Sequence, residues 1–137
     1  MKRFARFTFL FYIALVVSLL SGCRQEKAPA RPTVVTGITI TYENGPITAK
    51  RHYTSSAKIR AILNYLRWID PYGAPDIDPE KAGGSIFSIV LSYSDGKESL
   101  CMQKADNYFW EEGHSWRKIN PDKAMTLGKM MGQMESD

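Results

Sequence analysis

Alternation dominates the chain between residues 36 and 53 and again between 85 and 104. The segments TGITITYE and PITAKRHY flank Asn44-Gly45, and SIFSIVLSYS and KESLCMQK flank Asp95-Gly96. Alternating apolar and polar residues around such a dipeptide predict a β-hairpin closed by a two-residue turn. A two-residue turn fixes the register. About Asn44-Gly45 it sets Tyr42 opposite Ile47, Ile40 opposite Ala49 and Ile38 opposite Arg51. About Asp95-Gly96 it sets Leu91 opposite Leu100 and Ile89 opposite Met102. The more polar face then pairs Val90 with Cys101, Ser92 with Ser99 and Ser88 with Gln103. Between the hairpins, Ile59, Ile62, Leu63, Leu66 and Ile69 recur at helical spacing. Thr54 or Ser55 caps that helix and Pro71 with Gly73 ends it. Asn120-Pro121-Asp122 opens a second helix, with Ala124, Leu127, Met131 and Met134 on its apolar side. Tyr108 to Trp110 and Trp116 to Ile119 predict a further short hairpin around Glu112-Gly113. The expected fold is α+β: an antiparallel sheet of two or three hairpins with two amphipathic helices packed on one face, in the order β-β-α-β-β-hairpin-α.

Residues 1–33 follow a different pattern. Lys2, Arg3 and Arg6 precede an apolar run from Thr8 to Leu20, which ends in Leu20-Ser21-Gly22-Cys23. A basic start, an apolar stretch of about 7–15 residues and small residues beyond it describe a secretory signal. A membrane-spanning helix takes about 20 apolar residues, more than this run supplies. Leu20-Ser21-Gly22-Cys23 resembles the lipobox of bacterial lipoproteins. That resemblance implies a diacylglyceryl group on the Cys23 thiol, cleavage after Gly22 by the lipoprotein signal peptidase and, in many bacteria, acylation of the new amino group. It implies a protein held on the extracytoplasmic face of the cell membrane. Arg24 in place of Asp resembles the outer-membrane sorting pattern where the cell has an outer membrane. Residues 24–33, RQEKAPARPT, read as a flexible tether, and ten residues reach at most about 33–36 Å. The spacing of the later blocks resembles small lipoproteins of Gram-positive bacteria, a likeness that implies no activity.

Charge removes one class of partner. The chain carries 18 basic and 14 acidic residues. Three of the basic ones lie before Cys23, leaving fifteen against fourteen. A nearly neutral body does not suit electrostatic nucleic-acid binding. Two cysteines, one of them Cys23, support neither a disulfide scaffold nor a zinc-finger pair, and a monomer is expected.

The candidate chemistry is sparse. Cys101 reads as a small, semi-buried hydrophobe in a strand; as a nucleophile it needs a base, His52 or His114, brought close by the fold. His52, on the polar face opposite Gly37, and His114, at a turn, have no metal-ligand spacing. The loop from Asp70 to Gly84 holds Asp76, Asp78 and Glu80. It departs from a calcium loop in having Lys81 at the sixth position and no Glu at the twelfth. No cofactor and no metal are expected. The cluster Tyr108, Phe109, Trp110, His114, Trp116 and Arg117 suits recognition, although at least half of it reads as core. Alternation places Tyr108 and Trp110 on one face and Phe109 on the other. Tyr108, Trp110 and Trp116 are therefore the candidate binding surface. The expected function is a lipid-anchored, non-catalytic binding domain whose partner is an envelope protein, a polymer or a small ligand. The alternatives are a small envelope enzyme built on Cys101 with a His, and a regulatory or inhibitory subunit of another envelope protein.

Overall fold

The computed structural model describes residues 33–137. The signal-like run, Leu20, Ser21, Gly22, the lipid-attachment candidate Cys23 and nearly all of the tether lie outside the described residues. Alternating segments give strands β1 (Val35–Asn44), β2 (Ile47–Tyr53), β3 (Ile86–Tyr93), β4 (Glu98–Lys104), β5 (Tyr108–Glu111) and β6 (Arg117–Lys118). The helically spaced segments give α1 (Ser56–Trp68) and α2 (Pro121–Gln133). The six strands form one antiparallel sheet in the order β2-β1-β3-β4-β5-β6. The α+β class and the order of elements are as the spacing predicts. Among the described residues no helix is long and apolar enough to cross a membrane.

Both helices start where their sequence provides a cap. Ser55 Oγ accepts the N–H of Lys58 at 3.4 Å, and Asn120 Oδ1 accepts those of Asp122 and Lys123 ahead of Pro121. These acceptors satisfy amide groups that the first helical turn leaves without partners. Ile59, Ile62 and Tyr65 of α1 pack with Ala124, Leu127 and Met131 of α2 over one face of the sheet. That face presents Ile38 and Ile40 of β1, Phe87, Ile89 and Leu91 of β3, and Cys101 of β4.

Both hairpin registers differ from expectation. In the first, Asn44 pairs with Ile47, Tyr42 with Ala49, Ile40 with Arg51 and Ile38 with Tyr53. The loop is Gly45-Pro46, and every pair has moved by two residues. Side chains therefore keep their faces, and Tyr53, not Arg51, lies buried opposite Ile38. In the second, Ile89 pairs with Cys101, Leu91 with Ser99 and Phe87 with Gln103. That shift is one residue, so β4 turns over relative to the expectation. Cys101 and Gln103 face the helices. Leu100 and Met102, opposite Val90 and Ser88, face away.

Gln103 is fully buried as a result, and α1 and α2 supply its partners. Its Oε1 accepts the Tyr65 hydroxyl, and its Nε2 donates to the Ala124 carbonyl at 3.0 Å. Burial raises the Tyr65 pKa, so the phenol stays protonated and donates. Residues 134–137 close the other end of the sheet. His52 N–H donates to Ser136 Oγ at 3.0 Å, Asp137 N–H donates to the His52 carbonyl at 2.9 Å, and the Asp137 carboxylate accepts from Thr54 and Ser55 N–H and from Lys58 Nζ.

Candidate functional site

The aromatic hairpin divides between two faces, with the parity that alternation predicts. Gln103 pairs with Phe109 and Met102 with Trp110. Phe109 is therefore on the helix-covered face and belongs to the core. Tyr108 and Trp110 are on the opposite face. Trp110 and Trp116 are half-buried, with Trp116 immediately before β6. Tyr108 is a correction to the candidate surface, since only 7% of it is exposed. The segment after α1 returns over this end of the sheet. Lys104, opposite Tyr108 in β4, donates to the Glu80 carbonyl at 2.9 Å. Lys118, opposite Tyr108 in β6, donates to Asp76 Oδ1 at 3.1 Å. Pro79, between these anchor points, is buried. Asp78 caps the short 3₁₀ turn Pro79–Lys81 through the N–H of Glu80. Asp76 and Asp78 thus have structural partners. Among the described residues no group of three or more His, Cys, Asp or Glu is placed to hold a metal ion.

Cys101 is not on the polar face. It is 5% exposed within the core cluster. A cavity of about 430 Å³ beside it is lined by Leu63, Leu66, Leu91 and Phe109, with Arg67 and Arg117 at its polar side. Burial, with the nearby Glu111 and Glu112 carboxylates, pushes the thiol up to about 11. A reactive cysteine needs the reverse, an electropositive setting that favours thiolate. His52 pairs with Thr39 instead of Gly37, and Thr39 Oγ1 lies 2.9 Å from its Nδ1. It points away from the core on β2, with β1 and β3 between it and β4, so the fold does not join it to Cys101. His114 stands exposed in the β5–β6 turn with Nδ1 3.9 Å from Glu111 Oε2.

A groove that the spacing alone does not reveal lies at the opposite end of the core face. It encloses about 530 Å³ between α2 and the β2 edge of the sheet, within the ordinary range for ligand sites. Tyr42 and Phe87, ring centroids 4.8 Å apart, form its floor. Gly128 and Gly132 form its α2 wall, one turn apart in a row that begins with Ala124. A Cβ on Gly128 would stand 3.6 Å from the Phe87 ring, and one on Gly132 would meet nothing within 4 Å. Side chains at these positions would project into the opening. Arg51 and Lys129 supply positive charge at its rim. Among the described residues neither has a carboxylate within 4.0 Å. Asp106 lies across β1 and β3 from Arg51, on the far wall. The sequence signal is the pair of glycines inside a helix, where each costs about 0.8–1.0 kcal/mol relative to alanine. Comparison with family models, curated proteins and solved structures finds no match for this chain.

Proposed function

We propose that the protein is a lipid-anchored, extracytoplasmic binding protein whose ligand site is the groove between α2 and the β2 edge of the sheet. The lipobox-like Leu20-Ser21-Gly22-Cys23 supports the anchor. The observation that carries the binding role is the opening itself: an aromatic floor, a helical wall opened by Gly128 and Gly132, and two cations with no carboxylate within 4.0 Å among the described residues. Its chemistry suits a ligand that is apolar in part and negatively charged. A thiol held protonated in the core supports binding over cysteine chemistry. Fatty-acid labelling tests the anchor: Cys23→Ser abolishes incorporation, and undiminished labelling of that variant would refute it. Anilinonaphthalene sulfonate, an aromatic anion, tests the groove. Its fluorescence rises on binding the wild-type protein and falls back in Gly128→Leu, which fills the opening. Equal enhancement in both proteins would exclude the groove as its site.

A further inference from the structure

The groove opens onto a stretch of sheet edge that the described residues leave without a main-chain partner. The β1–β2 register gives Ile47, Ala49, Arg51 and Tyr53 the ladder bonds to β1, so Thr48, Lys50 and His52 direct their N–H and C=O groups outward. His52 confirms that parity, because Ser136 and Asp137 use both of its outward groups. At the far edge, Tyr72 covers β6 through two bonds with Lys118, at 2.8 and 2.9 Å. Among the described residues nothing bonds the main chain of Thr48 or Lys50. The side chains of Ala49 and Arg51, between and beside them, line the groove. An extended chain laid along this stretch would bond Thr48 and Lys50 and drop alternate side chains onto Tyr42 and Phe87.

Charge selects the occupant. Lys50 and Arg51 on the edge and Lys129 across the groove have no carboxylate within 4.0 Å among the described residues. A second copy of β2 would bring Lys50 and Arg51 against their own kind, which disfavours pairing. The chain's own residues 24–33 carry Arg24, Lys27 and Arg31 against a single Glu26, and Pro29 and Pro32 have no N–H to give the ladder. We propose that Thr48, Lys50 and the adjoining groove form a peptide site, which takes an extended acidic segment of a partner protein by strand addition to β2. This rests on the reading of the groove as the ligand site and names the class of ligand.

The test uses the full chain in detergent and two fluorescein-labelled peptides, one alternating Val with Glu and one alternating Val with Lys. Anisotropy should show saturable binding of the acidic peptide and none of the basic one. Thr48→Pro keeps every charge and the β1–β2 ladder while removing one outward N–H, and should weaken binding about tenfold or more. Gly128→Leu should weaken it similarly; leucine favours the helix over glycine, and an unchanged melting temperature separates that loss from loss of folding. Bound peptide should slow hydrogen exchange at the Thr48 and Lys50 amides of the wild-type protein, a readout that does not depend on any variant folding. Equal binding of both peptides, or acidic binding without protection of those two amides, would overturn strand addition. If anilinonaphthalene sulfonate still depends on Gly128 while the acidic peptide fails to bind, the groove stands as a site and the peptide proposal falls. If neither probe binds, both fall.

Discussion

The two long hairpins carry the same kind of turn signal and close differently. At Asn44-Gly45 the loop is Gly45-Pro46, with Gly45 at φ 58°, the left-handed conformation a two-residue hairpin loop places at its first position. At Asp95-Gly96 the loop is Ser94 to Gly96. Gly96 N–H donates to the Tyr93 carbonyl at 3.0 Å, Tyr93 N–H donates to the Lys97 carbonyl at 2.9 Å, and Gly96 has φ 84°. That is the three-residue loop with a bulged glycine, and Asp95 Oδ1 steadies it by accepting Lys97 N–H at 3.0 Å. Loop parity decides which side chains the second strand buries. The even displacement at β2 leaves inward residues inward. The odd displacement at β4 brings Cys101 and Gln103 in and sends Leu100 and Met102 out, and pairing passes that inversion on to β5. A turn dipeptide therefore locates a hairpin without deciding which face of its second strand is buried.

Removing an aromatic from each face of β5 is the strongest test of that inversion. Phe109→Ala should cost about 3–5 kcal/mol, as a core aromatic does. Trp110→Ala, half-buried on the face away from the helices, should cost about 1 kcal/mol. Thermal or denaturant melts of the two variants read the difference directly. The reverse order would mean that β4 and β5 present their other faces to the helices.

Gln103 offers the next largest effect, because the odd loop is what buries it. Gln103→Met preserves volume but deprives the Tyr65 hydroxyl and the Ala124 carbonyl of their close partner. A buried polar group left unsatisfied costs about 1–3 kcal/mol. Adding Tyr65→Phe should then cost less than Tyr65→Phe does alone, since the phenol has already lost its nearer acceptor and keeps only the Ala124 carbonyl at 3.4 Å. Additive losses in that cycle would break the argument. The bulged glycine itself comes after this. Gly96→Ala places a side chain in the left-handed region and should cost about 1–2 kcal/mol, measurable as a lower melting temperature without any change in register.

How far the sequence reveals this molecule depends on the range of each force involved. Helix α1 is legible because its cap, its apolar spacing and its terminating Pro71 all lie within one segment. Ala124, Leu127 and Met131 are legible for the same reason. Tyr65 shares the apolar face of α1, three residues after Ile62 and four before Ile69, but the acceptor its hydroxyl meets, Gln103, lies 38 residues away and no local pattern shows it. The parity of Tyr108, Phe109 and Trp110 is local and readable. The burial of Tyr108 is not, because the covering segment is anchored by Lys104 and Lys118 from elsewhere in the chain. The groove leaves only the two helical glycines as a trace. Its floor comes from β1 and β3 and its cations from β2 and α2, and no local pattern joins those.

The edge hairpin differs from the central one in a further way, which the smallest effect should expose. Strands β3 and β4 have neighbours on both sides, whereas β2 has β1 alone and relies on residues 134–137 at its end. Lys58, hydrogen-bonded to the Asp137 carboxylate, together with the N–H groups of Ser55 and Thr54, holds that carboxyl well below the usual carboxylate range. A folded-state pKa below the unfolded one stabilises the fold at pH values above the unfolded pKa. The contribution is lost as the pH falls through the ordinary value of 3.8 toward the depressed folded value. Asp137→Asn removes this proton linkage and keeps a side-chain oxygen that can accept the Thr54 and Ser55 amides. Its melting temperature should fall less steeply than that of the wild type as the pH is lowered from about 5 to 2. Near neutrality the variant should be slightly less stable, and the gap should close as acid is added. Parallel pH profiles for the two proteins would show that the clasp holds β2 through its main-chain bonds to His52 alone.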